Sequence, residues 1–194
     1  MKMPFEGMTL LDYAINSSLV ISNIALLKHD KAGLITFTNT IDTFLQADRK
    51  KNQIRKIQEL LYKQQTDFSE SNYELLYIKI KHTINQRSLL LLYTNFESMS
   101  SLERHLGFLK LLTQNHLLVV IFFINTEIQE LLGTQTNTLE DIYVKTIAEK
   151  LFLEKKKIVK ELNKNGIYSI LTEPKNLSAN TINKYLELKS LGLI

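Results

Sequence analysis

Four polar residues behind an apolar run are the first candidates for chemistry in this chain. Ser88 to Leu92 carry no charge and show no alternation, and Thr94, Asn95, Glu97 and Ser98 follow closely. An unbroken run of this kind predicts a strand buried on both faces, the central strand of a parallel sheet. Its carboxyl end is the edge where open α/β sheets hold their ligands. Hydroxyl, amide and carboxylate oxygens at that edge suit hydrogen bonding to a partner, or help in holding a hard cation such as magnesium. Ser71 and Asn72, at the start of a helical segment, offer a second pair of oxygens, with helix capping as their alternative use. For Asn95 the alternative is loop hydrogen bonding. Phe96 places an apolar ring in the same loop, either to engage a protein partner or to fold back onto the helix that follows. Tyr13, Tyr73, Tyr77 and Tyr93 are weaker candidates of the same type.

Other chemistries find little support. His29, His82, His105 and His116 are scattered and lack the spacing of a zinc site. No nucleophile elbow, phosphate-binding glycine loop or dinucleotide fingerprint is present. The absence of cysteine excludes disulfides, thiolate metal sites and cysteine nucleophiles. Glu140 and Asp141 fall in the first turn of a helix, where the helix dipole accounts for acidic residues. Thr36 and Thr38 could face the binding edge, although threonine is favoured in strands in any case.

The elements that must position these residues alternate. A capping box of Thr9 and Asp12 predicts a helix from Thr9 to Lys28. Lys31 to Thr38 reads as a buried strand and Ile41 to Leu45 as its antiparallel hairpin partner. Ile54, Ile57, Leu60 and Leu61 recur at helical spacing within a helix from Arg49 to Gln64. Further helices are expected over Asn72 to Asn85, from a capping box of Ser100 and Glu103 to Asn115, over Thr126 to Leu132, over Thr138 to Lys164, and over Ser178 to Ser190. Leu117 to Ile124 reads as a second fully buried strand and Ile167 to Leu171 as the last, with Gly133 to Asn137 as a break and Gly166 as a helix cap. Strands separated by helices imply an open, mostly parallel α/β sheet with helices on both faces and one antiparallel edge strand. The chain opens on a helix where such a fold is expected to supply a strand.

With 194 residues, 44% of them apolar and 23% charged, the sequence predicts one soluble globular domain over 1–194. The net charge of +4 comes from basic residues interleaved with acids, as in Asp48 to Lys51 and Glu154 to Lys157, which predicts solvated helix faces and no nucleic-acid partner. Leu10 to Leu27 carries Asp12, Asn16 and Asn23 and reads as a buried amphipathic helix. A cytoplasmic location is expected.

The stretches DYAINSSLVISNIALLKHDKAGLITF, SESNYELL, RSLLLLYTNFES, NHLLVVIFF and NGIYSILTEPKNLSANTINKYLELKSLGLI point further. Together they resemble the bacterial von Willebrand factor A-like family of unknown function associated with MoxR-type AAA ATPases. The resemblance implies a von Willebrand A-like, Rossmann-type fold whose first central strand, with the first motif of the metal-ion-dependent adhesion site, would precede Met1. The domain would then be amino-terminally truncated, the absent strand lying between Ala32 to Thr38 and Ser88 to Thr94. The second and third motifs map to Ser71 with Asn72 and to Asn95, where metal-binding members carry aspartate, so the adhesion site is degenerate. What the resemblance implies is a non-enzymatic protein-interaction module, an accessory of a MoxR-type AAA ATPase in the assembly or maturation of other proteins. Partner-binding residues would be Ser71, Asn72, Thr94, Asn95, Phe96 and Glu97. No cofactor is expected, a divalent cation at Ser71 and Asn95 being the one candidate. The parent protein is expected in the cytoplasm, with a membrane tether as an option. The alternative reading is a metal-dependent hydrolase using the same loop edge.

Overall fold

A computed structural model of the chain describes residues 4–5, 7–64, 70–124 and 139–194. In chain order the elements are β1 (Pro4–Phe5), β2 (Met8–Thr9), α1 (Leu10–Leu27), β3 (Ala32–Phe37), β4 (Ile41–Asp48), α2 (Gln53–Tyr62) and α3 (Tyr73–Thr83). They continue with β5 (Leu89–Tyr93), α4 (Met99–Thr113), β6 (Leu117–Phe123), α5 (Leu139–Lys164), β7 (Tyr168–Thr172), a short 3-10 turn (Pro174–Asn176) and α6 (Leu177–Ser190). The fold class is α/β, as expected. The expected helix at Thr126 to Leu132 and the break at Gly133 to Asn137 lie outside the described residues.

Two compact units make up the chain, Met1–Arg87 with Lys175–Ile194, and Ser88–Pro174. In the first unit, Thr9 begins α1 as its sequence requires. Its backbone is extended, its hydroxyl accepts the Asp12 N–H at 3.2 Å, and its own N–H donates to Asp12 Oδ2 at 2.8 Å. Two of the orphan amides at the helix start are thereby satisfied. Leu10, Ala14, Ser17 and Ile21 form the buried stripe of α1, and Ile15, Leu19 and Leu26 pack on a core of Ala32, Ile57 and Leu61. α1 is thus apolar because it touches α6, α2 and β3. By length and composition it is the one described helix that could cross a membrane.

β3 and β4 form the expected antiparallel hairpin, and β4 runs on to Asp48. Their register shifts between Ala32 and Leu34, a bulge that brings the backbones unusually close. A Cβ on Gly33 would stand 2.8 Å from both Ala47 N and Leu45 O. Only glycine fits there. Gln53, buried at the start of α2, donates to Ala32 O at 2.8 Å and Gln46 O at 2.9 Å, bonding a carbonyl of each strand beside the bulge. β3 is mostly half-buried, short of the burial expected for it.

In the second unit, β5, β6 and β7 form a parallel sheet in that order. This corrects one expectation. β6 is the middle strand and is buried along its whole length, whereas β5 flanks it and is mostly half-buried. A continuous apolar run does not separate these positions, because it reports the absence of a solvated face and not the number of strand neighbours. α4 packs on β6, and α5 on β7 and α4. Gly166, at φ 72°, ends α5, with Ile167 N–H reaching back to Leu162 O at 3.0 Å in the six-to-one bond of a Schellman cap. α4 starts earlier than its expected capping box. Ser98, with extended backbone, is the N-cap and accepts the Ser101 N–H at 3.2 Å.

Candidate functional site

The loop after β5 is built residue by residue into a fixed shape. Thr94 carries the parallel ladder one step beyond the strand, its N–H donating to Ile121 O at 2.9 Å, and it is buried. Phe96 is 2% exposed and stacks at a tilt on His105 of α4, ring centroids 6.4 Å apart. Of the two uses open to Phe96, the structure adopts folding back onto α4, and the ring is not displayed to a partner. Glu97, by contrast, is exposed. Ser98 then caps α4. Alternating burial along Thr94 to Glu97 therefore turns one carboxylate outward from a loop otherwise tied to the body of its unit.

Lys155 does most of the tying. It reaches the loop from α5, where it lies three residues before Ile158 and seven before Leu162, both fully buried, and so on their face of the helix. Its Nζ donates to Asn95 Oδ1 at 2.8 Å and to Phe96 O at 2.5 Å, and stands 5.7 Å from the centroid of the buried Phe122 ring. Burial lowers its pKa from the ordinary 10.5 to about 8, although the Glu97 carboxylate pulls the other way. A lysine among core positions is a readable signal, but here it sits in the run Glu154 to Lys157, whose charge pattern reads as a solvated face. One of its three lysines turns inward.

The position of Lys155 bears on metal binding. Asn95 Oδ1, the amide oxygen expected to act as a cation ligand, already accepts from an amine that is positively charged at neutral pH, and a divalent ion at the same oxygen meets that charge. Among the described residues, no three histidine or carboxylate side chains are grouped to hold an ion.

Ser71 and Asn72 belong to the other unit. Asn72 Oδ1 accepts the Leu75 N–H at 3.0 Å, capping α3, and its own N–H donates to Thr38 O at 2.7 Å. Helix capping is thus the use the structure makes of Asn72, and the bond to Thr38 sets the start of α3 at the carboxyl end of β3. Ser71, half-buried, precedes the cap. Thr38 also donates to Asp42 in the hairpin turn, at 3.3 Å. Tyr73 is buried with its ring edge-on to Phe37, centroids 5.5 Å apart, and so serves the core. Each half of the expected site therefore stands at the carboxyl end of a strand, Ser71 and Asn72 in one unit and Thr94 to Glu97 in the other.

No family model, curated protein or solved structure matches the chain.

Proposed function

We propose that the chain is a von Willebrand A-like interaction module that binds a partner protein through the loop Thr94 to Ser98 and catalyses no reaction itself. The partner class is a MoxR-type AAA ATPase or its client, in the assembly or maturation of other proteins in the cytoplasm. The observation that carries this reading is the pair of bonds from Lys155 to Asn95 and Phe96. A loop at the carboxyl end of a parallel strand, held from inside with Glu97 turned out, loses little conformational freedom on binding. An exposed carboxylate on such a loop selects partners by charge and speeds their encounter. Metal-dependent hydrolysis at this edge is the weaker reading, since it calls for converging carboxylates and Glu97 is the only one in the loop.

The test is the affinity of the purified chain for a purified, nucleotide-free MoxR-type ATPase from the same cell, with and without chelator. Wild type is expected to bind independently of chelator, and Glu97→Lys to weaken binding about tenfold, or ~1.4 kcal/mol. Equal affinity for both proteins, or no binding by a folded wild type, contradicts the proposal.

A further inference from the structure

The excess of positive charge in this chain belongs to its first unit. Met1–Arg87 with Lys175–Ile194 hold fifteen basic and ten acidic residues, whereas Ser88–Pro174 hold nine and ten. Folding gathers much of that excess at one end of the β3–β4 hairpin. Ala32 pairs with Asp48, so Lys31 and Arg49, one step further on each strand, become cross-strand neighbours. Lys50 and Lys51 follow in the turn, and Arg55 and Lys56 stand in the first turn of α2. Gln53 ties that turn to both strands through its bonds to Ala32 O and Gln46 O. Two carboxylates lie among these six cations, and each is taken: Asp48 by Lys50 at 3.0 Å and Glu59 by Arg55 at 3.0 Å. Lys31, Arg49, Lys51 and Lys56 are exposed and have no carboxylate partner among the described residues. In linear order the charges interleave; in the fold four unpaired cations share one corner.

The neighbours of these cations decide the kind of partner. Gln46, Ala47 and Asn52, the exposed residues interspersed with them, are polar or small. The large apolar residues exposed nearest in sequence, Leu27 at the end of α1 and Tyr62 at the end of α2, belong to neither the hairpin nor the turn. A protein partner calls for an apolar or aromatic anchor, a lipid surface for an apolar face to bury, and unpaired bases for a ring on which to stack. The phosphates of a duplex need only cations and hydrogen-bond donors. We propose that the corner formed by Lys31, Arg49, Lys51 and Lys56 binds double-stranded nucleic acid through its phosphates, without reading its sequence. This surface goes beyond the protein-binding role, resides in the other unit and stands or falls independently of it.

The experiment uses the intact chain and fluorescein-labelled DNA duplexes of about 20 base pairs in two unrelated sequences, with fluorescence anisotropy read from about 50 to about 200 mM sodium chloride. Four phosphate contacts give log K a slope of about −3.6 against log salt, so both duplexes are expected to lose affinity about 150-fold over this range. Lys51→Ala should make the slope shallower by about 0.9, and the combination of Lys31→Ala, Arg49→Ala, Lys51→Ala and Lys56→Ala should remove most of it. The combination of Lys156→Ala, Lys157→Ala and Lys160→Ala, exposed lysines of α5 in the second unit, should leave the slope unchanged. Phosphatidylserine vesicles and polyglutamate are the rival probes, each expected to bind at least about tenfold more weakly than duplex at the lowest salt. Three results overturn the proposal: no duplex binding at about 50 mM salt, a slope that Lys51→Ala leaves unchanged, or vesicles or polyglutamate held as tightly as duplex.

Discussion

Lys155 is costly where it stands. Its folded pKa, about 8, lies below the ordinary 10.5, so between those values the unfolded chain holds a proton that the folded chain has released. Stability from this residue accordingly rises with pH across that window. Urea unfolding of wild type and Lys155→Met at pH 7.5 and pH 10.5 should show the wild type gaining on the variant by up to about 3 kcal/mol as pH rises. A difference that stays constant with pH would mean that Lys155 is not desolvated. The polar residues of the loop were legible because they follow an apolar run, and Asn72 and Phe96 were legible as pairs of alternatives. The structure takes the capping option for Asn72 and the folded-back option for Phe96. Lys155 was not legible, since its two acceptors come from residues about 60 positions away and the sequence shows only a lysine among lysines.

At the level of elements, the hairpin of β3 and β4 shows what periodicity leaves out. Two apolar segments separated by a few residues located both strands, but not the bulge between Ala32 and Leu34, because a bulge alters the backbone register without altering the hydrophobic pattern. Gly33 fits that bulge, and Gln53 bonds a carbonyl of each strand beside it. Gly33→Ala places a methyl against backbone atoms of β4 that have no rotamer by which to yield, and is expected to destabilise the chain by at least about 2 kcal/mol in urea. A change under ~0.5 kcal/mol, the usual range for a surface substitution, would mean that the strands do not approach so closely. The long helices were located to within a few residues because their caps and apolar stripes agree. The start of α4 differed because Ser98 competes with Ser100 for the cap and wins with extended backbone. α2 begins at Gln53, later than its pattern suggests, and β4 runs on to Asp48 before it.

On the scale of the whole molecule, the first unit is assembled from the two ends of the chain. α6 returns to α1, presenting Leu177, Thr181, Tyr185 and Leu188 as its buried face. A clasp fixes the return. Tyr185 OH and Lys189 Nζ both donate to Asp30 Oδ2, the lysine at 2.5 Å. Burial disfavours the Asp30 charge, but the two hydrogen bonds outweigh it and hold the carboxyl below its ordinary 3.8. A depressed carboxyl contributes stability above its unfolded pKa and loses it as pH falls through the folded one. Asp30→Asn should thus cost about 1 kcal/mol at pH 7, the partly exposed clasp being screened by solvent. The cost should shrink below pH 3.8. Thermal unfolding at pH 7 and pH 3 checks this, and an equal cost at both would remove Asp30 from the clasp. None of this was legible in sequence, where residue 30 and residues 185–189 belong to unrelated segments.

The most direct measurement on the loop edge is a titration of the lysine Cε resonances by NMR in the intact chain. A resonance with a midpoint near 8, missing from Lys155→Arg, is the result expected if an inward amine organises the loop after β5. Lysine resonances that all titrate above 10 would place Lys155 in solvent and leave the loop without its internal tie.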